Sequence, residues 1–309
     1  MRIAIYGAGG LGAYYGARLH ASGHEVGFIA RGAHLAAMRD NGLQVFSPLG
    51  DVHVMRPLAS DKPADIGAVD LVIVAVKTWQ IAAVARAMAP LLHEHTLVVP
   101  FLNGVEAPDG LANVIGADRV LGGLSKIFAL IEAPGVIRHF SAAAYVEIGE
   151  PGGGASARVD ALREVFRAAG VEAGVSADIR SALWHKLLMV SSWAGLGALA
   201  RSPMGVMRAQ PETRALIGRA MDEGIAVGRA RGHRLADDIK AQLWAFYDAL
   251  PEQATASMQR DIMHGRPSEL DAWNGAIVRF GAELGVDTPV HTFTYHTLLP
   301  MERRARESA

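Results

Sequence analysis

The chain has 309 residues, more than one hydrophobic core usually organises, so two domains are the expected arrangement. Half of its residues are hydrophobic and 20% are charged, a composition typical of an ordered globular protein. Lys and Arg number 30 against 31 Asp and Glu, so the net charge offers little attraction to nucleic acid or to an anionic membrane surface. There is no cysteine, which excludes disulfides, thiolate metal sites and cysteine nucleophiles.

The first residues, MRIAIYGAGG, enter a strand pattern directly and lack the three regions of a secretory signal. We therefore expect a cytoplasmic protein. No window approaches ~18 uninterrupted apolar residues. The nearest, Leu183 to Leu199, contains His185, Lys186 and two serines, so a membrane span is not expected.

The N-terminal pattern predicts a βαβ unit. Arg2 to Tyr6 is a short β-rich run, a glycine cluster follows, and residues 13–21 have helical spacing. A second strand is predicted over residues 25–30. The two strands should pair in parallel, because a helix connects them.

Two further apolar runs extend this unit. Residues 71–76 and 96–101 are compact enough to be strands buried on both faces. They alternate with helix-like segments at 78–92 and 106–115. The alternation predicts a doubly wound Rossmann sheet, an α/β fold.

After Val120 the pattern changes. Residues 127–140, folded around a turn-forming Pro-Gly, and residues 142–150 are predicted strands. We expect them to form an antiparallel extension of the sheet. The PGGGAS segment at 151–156 is a flexible connection.

The domain boundary is predicted near Ser176. A helix over residues 157–169 and a strand over 171–174 precede it, and from Asp178 onward the pattern is helical. The prediction is therefore a Rossmann domain over residues 1–176 and an all-helical domain over residues 177–309.

The glycine cluster has the spacing G-x-G-x-x-G and predicts a dinucleotide site. Gly7 permits the tight turn, Gly9 lets the backbone approach a pyrophosphate, and Gly12 lets helix and strand pack closely. The helix that follows directs its free N–H groups at phosphate. The residues of this loop predicted to bind the cofactor are Gly7, Ala8, Gly9, Gly10, Leu11 and Gly12.

The end of the second strand indicates which dinucleotide binds. NAD sites place a carboxylate there, whereas NADP sites need a cation for the 2′-phosphate. The sequence is FIARG, with Arg31 at the tip and no Asp or Glu between Val26 and Leu35. The guanidinium of Arg31 is suited to a phosphate, so NADPH is the predicted cofactor. The alternative is a solvated surface arginine.

Several ordered blocks resemble one family along nearly the whole chain, the ketopantoate reductases (2-dehydropantoate 2-reductases). The blocks are YGAGGLG, ARG after the second strand, VKTWQ at 76–80, LNGVE at 102–106, WHKL at 184–187, SMQRDI at 257–262 and PSELDAWNG at 267–275. The resemblance implies NADPH-dependent reduction of 2-dehydropantoate to pantoate, in pantothenate biosynthesis. It also implies a helical domain like the C-terminal domain of 6-phosphogluconate dehydrogenase, a homodimer, and a substrate held between the domains.

By this resemblance Lys186 is the catalytic general acid. A ketone oxygen that becomes an alkoxide needs a positive, proton-bearing group, and a partly buried lysine meets both needs. Leu183, Trp184 and Leu187 give it an apolar setting. The alternative is a surface lysine whose stem covers apolar area.

Four more residues take roles from the resemblance. Glu269 is the family's functional glutamate, catalytic and within reach of the cofactor; whether it orients Lys186 or binds a substrate hydroxyl is left open. Ser257 is expected to contact the substrate carboxylate. Asn103 is expected near the nicotinamide ribose and the substrate, and Lys77 near the cofactor. Both follow predicted strands, at the edge where doubly wound sheets bind ligands.

The chain departs from the family at one place. The helix that carries the lysine usually presents asparagines four and eight residues further on, and here these positions are Val190 and Ala194. Losing two amides makes that end of the pocket more apolar. A related 2-keto acid reductase with a more apolar substrate is therefore the first alternative, unless Ser191 or Ser192 compensates.

The same residues bear on three other functions: an NADPH sensor, a hydrolase and a metal site. A non-catalytic NADPH-binding sensor would share the glycine loop, but Lys186 and Glu269 together favour chemistry. No G-x-S-x-G elbow supports a hydrolase, and His291 and His296 lack a third metal ligand.

A homodimer could bury an apolar face on the helical domain. Trp193, Met204 and Trp244 are the residues that would supply such a face, although the same residue types are more often core.

Overall fold

A computed structural model describes residues 1–308, which divide into two compact units. The first comprises Met1–Leu102 and Glu106–Arg180, and the second comprises Asn103–Val105 and the chain from Ser181 onward. The elements of the first unit are, in chain order, β1 (Arg2–Tyr6), α1 (Gly10–Ala21), β2 (Glu25–Ile29), α2 (Gly32–Asn41), β3 (Leu43–Phe46), β4 (Val52–Val54), β5 (Leu58–Ser60), β6 (Leu71–Val74), α3 (Ile81–Ala87), β7 (Leu97–Pro100), α4 (Ala107–Ile115), β8 (Gly122–Lys126), β9 (Ala129–Ala133), β10 (Val136–His139), β11 (Tyr145–Gly149), α5 (Ala157–Ala168) and β12 (Glu172–Val175).

The central sheet has the strand order β5-β2-β1-β6-β7, and all of its strands are parallel. Ile3 of β1 lies opposite Val26 of β2 and Leu71 of β6. β6 is buried throughout, because helices cover both faces of a parallel sheet. Its uninterrupted apolar sequence LVIV is the pattern from which the buried strand was predicted. The predicted doubly wound α/β sheet is confirmed.

The later strands correct one prediction. β9 and β10 do pair as an antiparallel hairpin, but they do not extend the Rossmann sheet. They belong to a separate sheet, β4-β3-β10-β9, while β11 lies in a third sheet, β12-β11-β8. The reason is pairing over long range: β10 takes β3 as its parallel neighbour, and β11 takes β8 and β12. The short strands β3, β4, β5 and β8 were not predicted.

The predicted helix over residues 78–92 is also shorter than expected. Only α3 is regular α-helix, flanked by 3₁₀ turns at Thr78–Gln80 and Ala89–Leu91. Pro90 accounts for the second break, since proline removes a helical hydrogen bond and clashes with the preceding turn.

The second unit is helical throughout the residues described. Its elements are α6 (Ile179–Ala200, which starts two residues before the unit boundary), α7 (Met204–Ala209), α8 (Pro211–Ala230), α9 (Ile239–Ala249), α10 (Ser257–Met263), a π-helical turn at Asp271–Gly275, α11 (Ala276–Leu284) and α12 (Pro289–Glu307). None of the described helices has the length and apolarity needed to cross a bilayer.

The core of this unit forms where α8 packs closely on α6. A Cβ at Gly228 would strike the Trp184 indole, and one at Gly224 would lie 2.5 Å from Leu188. The Trp184 Nε1–H donates to the Gly224 carbonyl at 3.0 Å. Two glycines one turn apart therefore let a fully buried tryptophan lie against the helix backbone.

The apolar residues considered for a dimer face divide between core and surface. Trp193 is 5% exposed and Met204 is 0% exposed, so both belong to the core of the helical unit. Trp244 is half-buried.

The start of α12 is held by buried polar groups. The Glu223 carboxylate accepts hydrogen bonds from the backbone N–H groups of Val290 (2.8 Å) and His291 (2.9 Å). The His291 Nδ1 pairs with Asn274 Nδ2 at 2.9 Å, and its Nε2 pairs with the Ala220 carbonyl at 3.0 Å. Since an amide N–H can only donate, Nδ1 is the acceptor and Nε2 carries the proton.

Burial of His291 makes stability depend on pH. Burial lowers the pKa of His291 from 6.5 to about 4, so the folded protein keeps the ring neutral while the unfolded chain takes up a proton below pH 6.5. This stabilisation is complete above pH 6.5 and is lost as pH falls towards 4, at about 1.4 kcal/mol per pH unit. Urea unfolding at pH 7 and pH 5 should show a free energy of unfolding that falls by about 2 kcal/mol more in the wild type than in His291→Gln. Parallel profiles would contradict this.

Candidate functional site

The glycine loop lies at the carboxyl edge of the central sheet. Gly7 has φ +101°, a conformation that favours glycine. The N–H groups of Gly7 and Ala8 donate to the Ile29 carbonyl at 3.2 and 2.9 Å, which joins the loop to the end of β2. A Cβ at Gly7 would lie 2.7 Å from the Ala75 carbonyl oxygen, so the end of β6 also abuts the loop.

The other loop glycines face different surroundings. A Cβ at Gly12 would strike the Gly7 carbonyl, and one at Gly10 would lie 2.6 Å from the Ala129 carbonyl. At Gly9, which caps α1, a Cβ would meet nothing within 4 Å. The N-terminus of α1 therefore opens onto free space beside Gly9, with Leu11 half-buried behind it. Such an end is suited to the phosphates of a dinucleotide, so the residues present fit that group.

Arg31 caps α2, two residues after the end of β2. Its backbone is extended (φ −141°, ψ 162°) and its side chain is exposed. Burial raises the pKa of Tyr6 at the end of β1, and the charge of Arg31 opposes that shift, so the guanidinium lies close to the strand edge. A cation thus stands at the tip of β2, beside the glycine loop.

His34, in the first turn of α2, was missed by the sequence analysis. Its Nδ1 accepts a hydrogen bond from the Gly135 N–H at 3.0 Å, which joins α2 to the β9–β10 turn. Burial lowers the pKa of His34, and the nearby backbone of Ala8 opposes the shift. The ring therefore lies between the glycine loop and the hairpin.

Lys77 follows β6 and is half-buried. Its N–H donates to the Gln80 Oε1 at 3.1 Å, and its Nζ lies 5.9 Å from the centre of a Trp79 ring. Because Ala75 contacts the glycine loop, Lys77 stands at the same edge of the sheet as Gly7 and Arg31.

Lys186 lies on α6 in the helical unit. It is half-buried, whereas Trp184 and Leu187 beside it are 0% and 1% exposed. One turn further on, Val190 is half-buried, and two turns on, Ala194 is fully buried. Val190 shares the helix face of Lys186, whereas Trp184 and Leu187, two and one positions away, belong to other faces.

The two serines after Val190 are buried, and the Ser191 hydroxyl has no hydrogen-bond partner among the described residues. Ser191 and Ser192 are each 1% exposed. The Ser192 hydroxyl donates to the Leu188 carbonyl at 3.0 Å. Neither side chain therefore presents a hydroxyl at an accessible surface, and neither replaces the amides absent at positions 190 and 194.

Asn103 and Glu269 are brought together within the helical unit, although 166 positions separate them. The Asn103 Nδ2 donates to the Glu269 Oε2 at 3.3 Å. Glu269 is 4% exposed and precedes the π-helical turn, with its carbonyl accepting from the Trp273 N–H at 3.0 Å. Local π-helical turns are frequent at functional sites.

Ser257 is the first residue of α10 and is half-buried. Gln259, on the same helix, is fully buried and donates from Nε2 to the Ser202 carbonyl at 2.8 Å. A Cβ at Gly197 of α6 would lie 2.9 Å from the Gln259 side chain, so α10 packs against the far end of α6.

A surface groove of about 450 Å³ lies between α8 and α9. Two of its three cations, Arg214 and Lys240, are paired with Asp248 (2.9 Å) and Asp222 (2.7 Å), and the third is Arg219. None of the predicted site residues lines it. Within residues 1–308, no group of three or more His, Asp or Glu side chains is placed to hold a metal ion.

Family models match both units. The model for ketopantoate reductase PanE/ApbA matches residues 3–153, and that for its C-terminal domain matches residues 178–302. The chain is 34% identical to a 2-dehydropantoate 2-reductase of Mesorhizobium japonicum over 98% of this chain and 97% of the relative.

Solved structures agree with the family models. A PanE/ApbA family ketopantoate reductase from Ralstonia eutropha superposes with a TM-score of 0.91 at 31% identity, covering 99% of this chain and 100% of that one. A D-mandelate dehydrogenase solved with NADH and anilino(oxo)acetate superposes at 0.90 with 25% identity, covering 99% of both chains.

The fold and its glycine loop define an oxidoreductase that uses a nicotinamide dinucleotide, NAD(P)H, and acts on a CH–OH group. The chain belongs to the ketopantoate reductase family. Its reaction is the reduction of a keto acid.

The loop glycines should differ in their tolerance of one added methyl group. Gly9→Ala adds a Cβ in open space at an allowed conformation (φ −77°), so the loss of stability should stay below about 1 kcal/mol, the difference between glycine and alanine at an N-cap. Gly12→Ala sets a Cβ against a backbone carbonyl, and we expect a loss of about 1–3 kcal/mol despite the better helix propensity of alanine. Urea unfolding of the cofactor-free proteins measures both, and equal losses would contradict the loop geometry.

Proposed function

We propose that the protein reduces 2-dehydropantoate to pantoate with NADPH, the reaction that supplies pantothenate biosynthesis. The observation that carries this proposal is the contact between Asn103 and the buried Glu269, at 3.3 Å. It joins a residue three positions after β7 to a residue two positions before the π-helical turn. Relatives named 2-dehydropantoate 2-reductase, from Mesorhizobium japonicum and Halobacterium salinarum, support this substrate.

Lys186 is the general acid in this proposal. Lys186 is half-buried on α6, and Val190, one turn further on, is half-buried on the same helix face. Reduction turns the keto oxygen into an alkoxide, which the ammonium stabilises and then protonates. The other residues bind and orient.

Glu269, Asn103 and Ser257 position the substrate. Glu269 is an acceptor, and Asn103 holds one of its oxygens through Nδ2. The second oxygen can accept from Lys186 or from a substrate hydroxyl. Ser257, at the N-terminus of α10, supplies a hydroxyl for the substrate carboxylate.

The cofactor is held by the first unit and supplies the hydride. The N-terminus of α1 and the open space at Gly9 take the pyrophosphate, with Lys77 beside them. The Arg31 guanidinium binds the 2′-phosphate that distinguishes NADPH from NADH.

A second candidate is an apolar, aryl-type 2-keto acid. Val190 and Ala194 give the helix that carries Lys186 an apolar continuation, and Ser191 and Ser192 are buried. An unpaired substrate hydroxyl would cost about 1–3 kcal/mol there. The D-mandelate dehydrogenase of similar structure acts on an aryl hydroxy acid.

Cofactor choice is tested at Arg31. Arg31→Ala removes the cation at the tip of β2, so the Michaelis constant for NADPH should rise about ten-fold or more while that for NADH barely changes. Arg56→Ala, at an exposed arginine two residues before β5 and thus at the opposite edge of the sheet, is the matched control. An equal effect of Arg31→Ala on both cofactors would contradict the assignment.

The substrate is tested by NADPH oxidation with three compounds: 2-dehydropantoate, its analogue without the distal hydroxyl, and an aryl 2-keto acid. The proposal expects kcat/KM to be at least about ten-fold higher for 2-dehydropantoate than for the analogue, because a partner for that hydroxyl discriminates strongly. Lys186→Ala should lower kcat by about 100-fold or more on any substrate that turns over. Preference for the aryl compound would replace the first candidate with the second, and turnover unaffected by Lys186→Ala would contradict the role of the lysine.

A further inference from the structure

We infer that Glu302, on the C-terminal helix α12, is a positioning residue for Glu269, and that it acts through Ser268. This inference rests on the proposed role of Glu269. Glu302 is 3% exposed and Ser268 is 0% exposed, so their contact is out of water. A carboxylate at such a place needs several donors to offset the loss of hydration.

The donors come from the residue that precedes Glu269. The Ser268 N–H lies 3.1 Å from Glu302 Oε1 and 3.0 Å from Oε2. The Ser268 hydroxyl donates to Oε2 at 2.5 Å. One side chain of α12 therefore accepts from both polar hydrogens of Ser268, which fixes the residue immediately before Glu269.

Arg306, on the next turn of α12, contacts both Glu302 and Ser268. Its Nε lies 2.7 Å from Glu302 Oε1, and its Nη2 donates to the Ser268 carbonyl at 3.1 Å. The carbonyl of Ser268 belongs to the peptide bond shared with Glu269. Ser268, the residue before Glu269, is thus held at its N–H, its hydroxyl and its carbonyl.

The other side of Glu269 is held by the same serine. The Ser268 hydroxyl oxygen accepts from the Leu270 N–H at 3.3 Å, and the Glu269 carbonyl accepts from Trp273. Both peptides that flank Glu269 are therefore fixed, which leaves its carboxylate to meet Asn103. Because misplacement of a catalytic group by about 1 Å lowers rates by about 100-fold, this fixation bears on turnover.

Glu223 provides a matched control in the same unit. It is also buried, at 9% exposure, and it also accepts from two groups at the start of a helix, the N–H groups of Val290 and His291. It has no contact with Ser268 or Glu269 among the hydrogen bonds described. Glu302→Gln and Glu223→Gln each neutralise a buried carboxylate that accepts from backbone N–H groups, so both should lower the melting temperature, Glu302→Gln by more because it also loses the ion pair with Arg306.

The experiment measures kcat, the Michaelis constants, the NADPH dissociation constant and the melting temperature of Glu302→Gln, Glu223→Gln, Glu269→Gln and the double variant Glu302→Gln/Glu269→Gln. The substrate is the 2-keto acid that the wild type reduces fastest. We expect Glu302→Gln to lower kcat by about ten-fold or more while NADPH binding is unchanged, and Glu223→Gln to leave kcat within about two-fold. In the Glu269→Gln background, Glu302→Gln should have little further effect, because both changes act on one interaction.

The outcomes separate the two proposals. If Glu269→Gln leaves kcat and Michaelis constants unchanged, the role proposed for Glu269 is wrong. If Glu269→Gln lowers kcat but Glu302→Gln behaves like Glu223→Gln, or if its effect persists at full size in the double variant, the positioning role of Glu302 is overturned. The neutral glutamine keeps an acceptor for Ser268, so the variant is expected to fold. Arg306→Gln removes the contacts of Arg306 with Glu302 and with the Ser268 carbonyl, and it should also lower kcat.

Discussion

The close approach of three backbone segments at the glycine loop is the constraint on which the nucleotide-binding unit depends. The Gly7 carbonyl fills the place of a Cβ at Gly12, the end of β6 fills that of Gly7, and the Ala129 carbonyl fills that of Gly10. Any side chain at these positions would push the first helix off the sheet. Because the helix stays close, its N-terminus lies at the carboxyl edge of the strands. The phosphates of a dinucleotide can bind at this edge.

The helical unit is organised by a different device, the buried carboxylate. Glu223, Glu269 and Glu302 are all less than one tenth exposed, and each accepts hydrogen bonds from another segment. A buried carboxylate with several donors holds the donating chain segments at a defined distance. A buried carboxylate without donors lowers the stability of the fold, because its lost hydration is not replaced. Glu223 and Glu302 each accept from backbone N–H groups, whereas the hydrogen bond described for the Glu269 carboxylate comes from the Asn103 side chain.

Local signals made the nucleotide half largely predictable. The glycine spacing, the apolar runs of β1 and β6 and the arginine after β2 each lie within a few residues, so short windows contain them. The roles of Lys186 and Glu269 came from family resemblance. The second and third sheets, with the short strands β3, β4 and β8, were missed because strand neighbours are chosen over long range. His34 and Glu302 were missed for the same reason, since their partners lie 101 and 34 positions away.

In the proposed function, helix α6 carries chemistry and specificity on different turns. Lys186 lies on one turn, and the following turns carry Val190 and Ala194, while the Ser192 hydroxyl donates to the Leu188 carbonyl. The proposed proton donor needs only the keto oxygen within hydrogen-bond reach. Recognition of the distal substrate end depends on whichever side chains stand one and two turns later, where each missing partner for a hydroxyl costs about 1–3 kcal/mol. The same scaffold can therefore keep one reaction while its substrate changes, because the two demands fall on different turns of one helix.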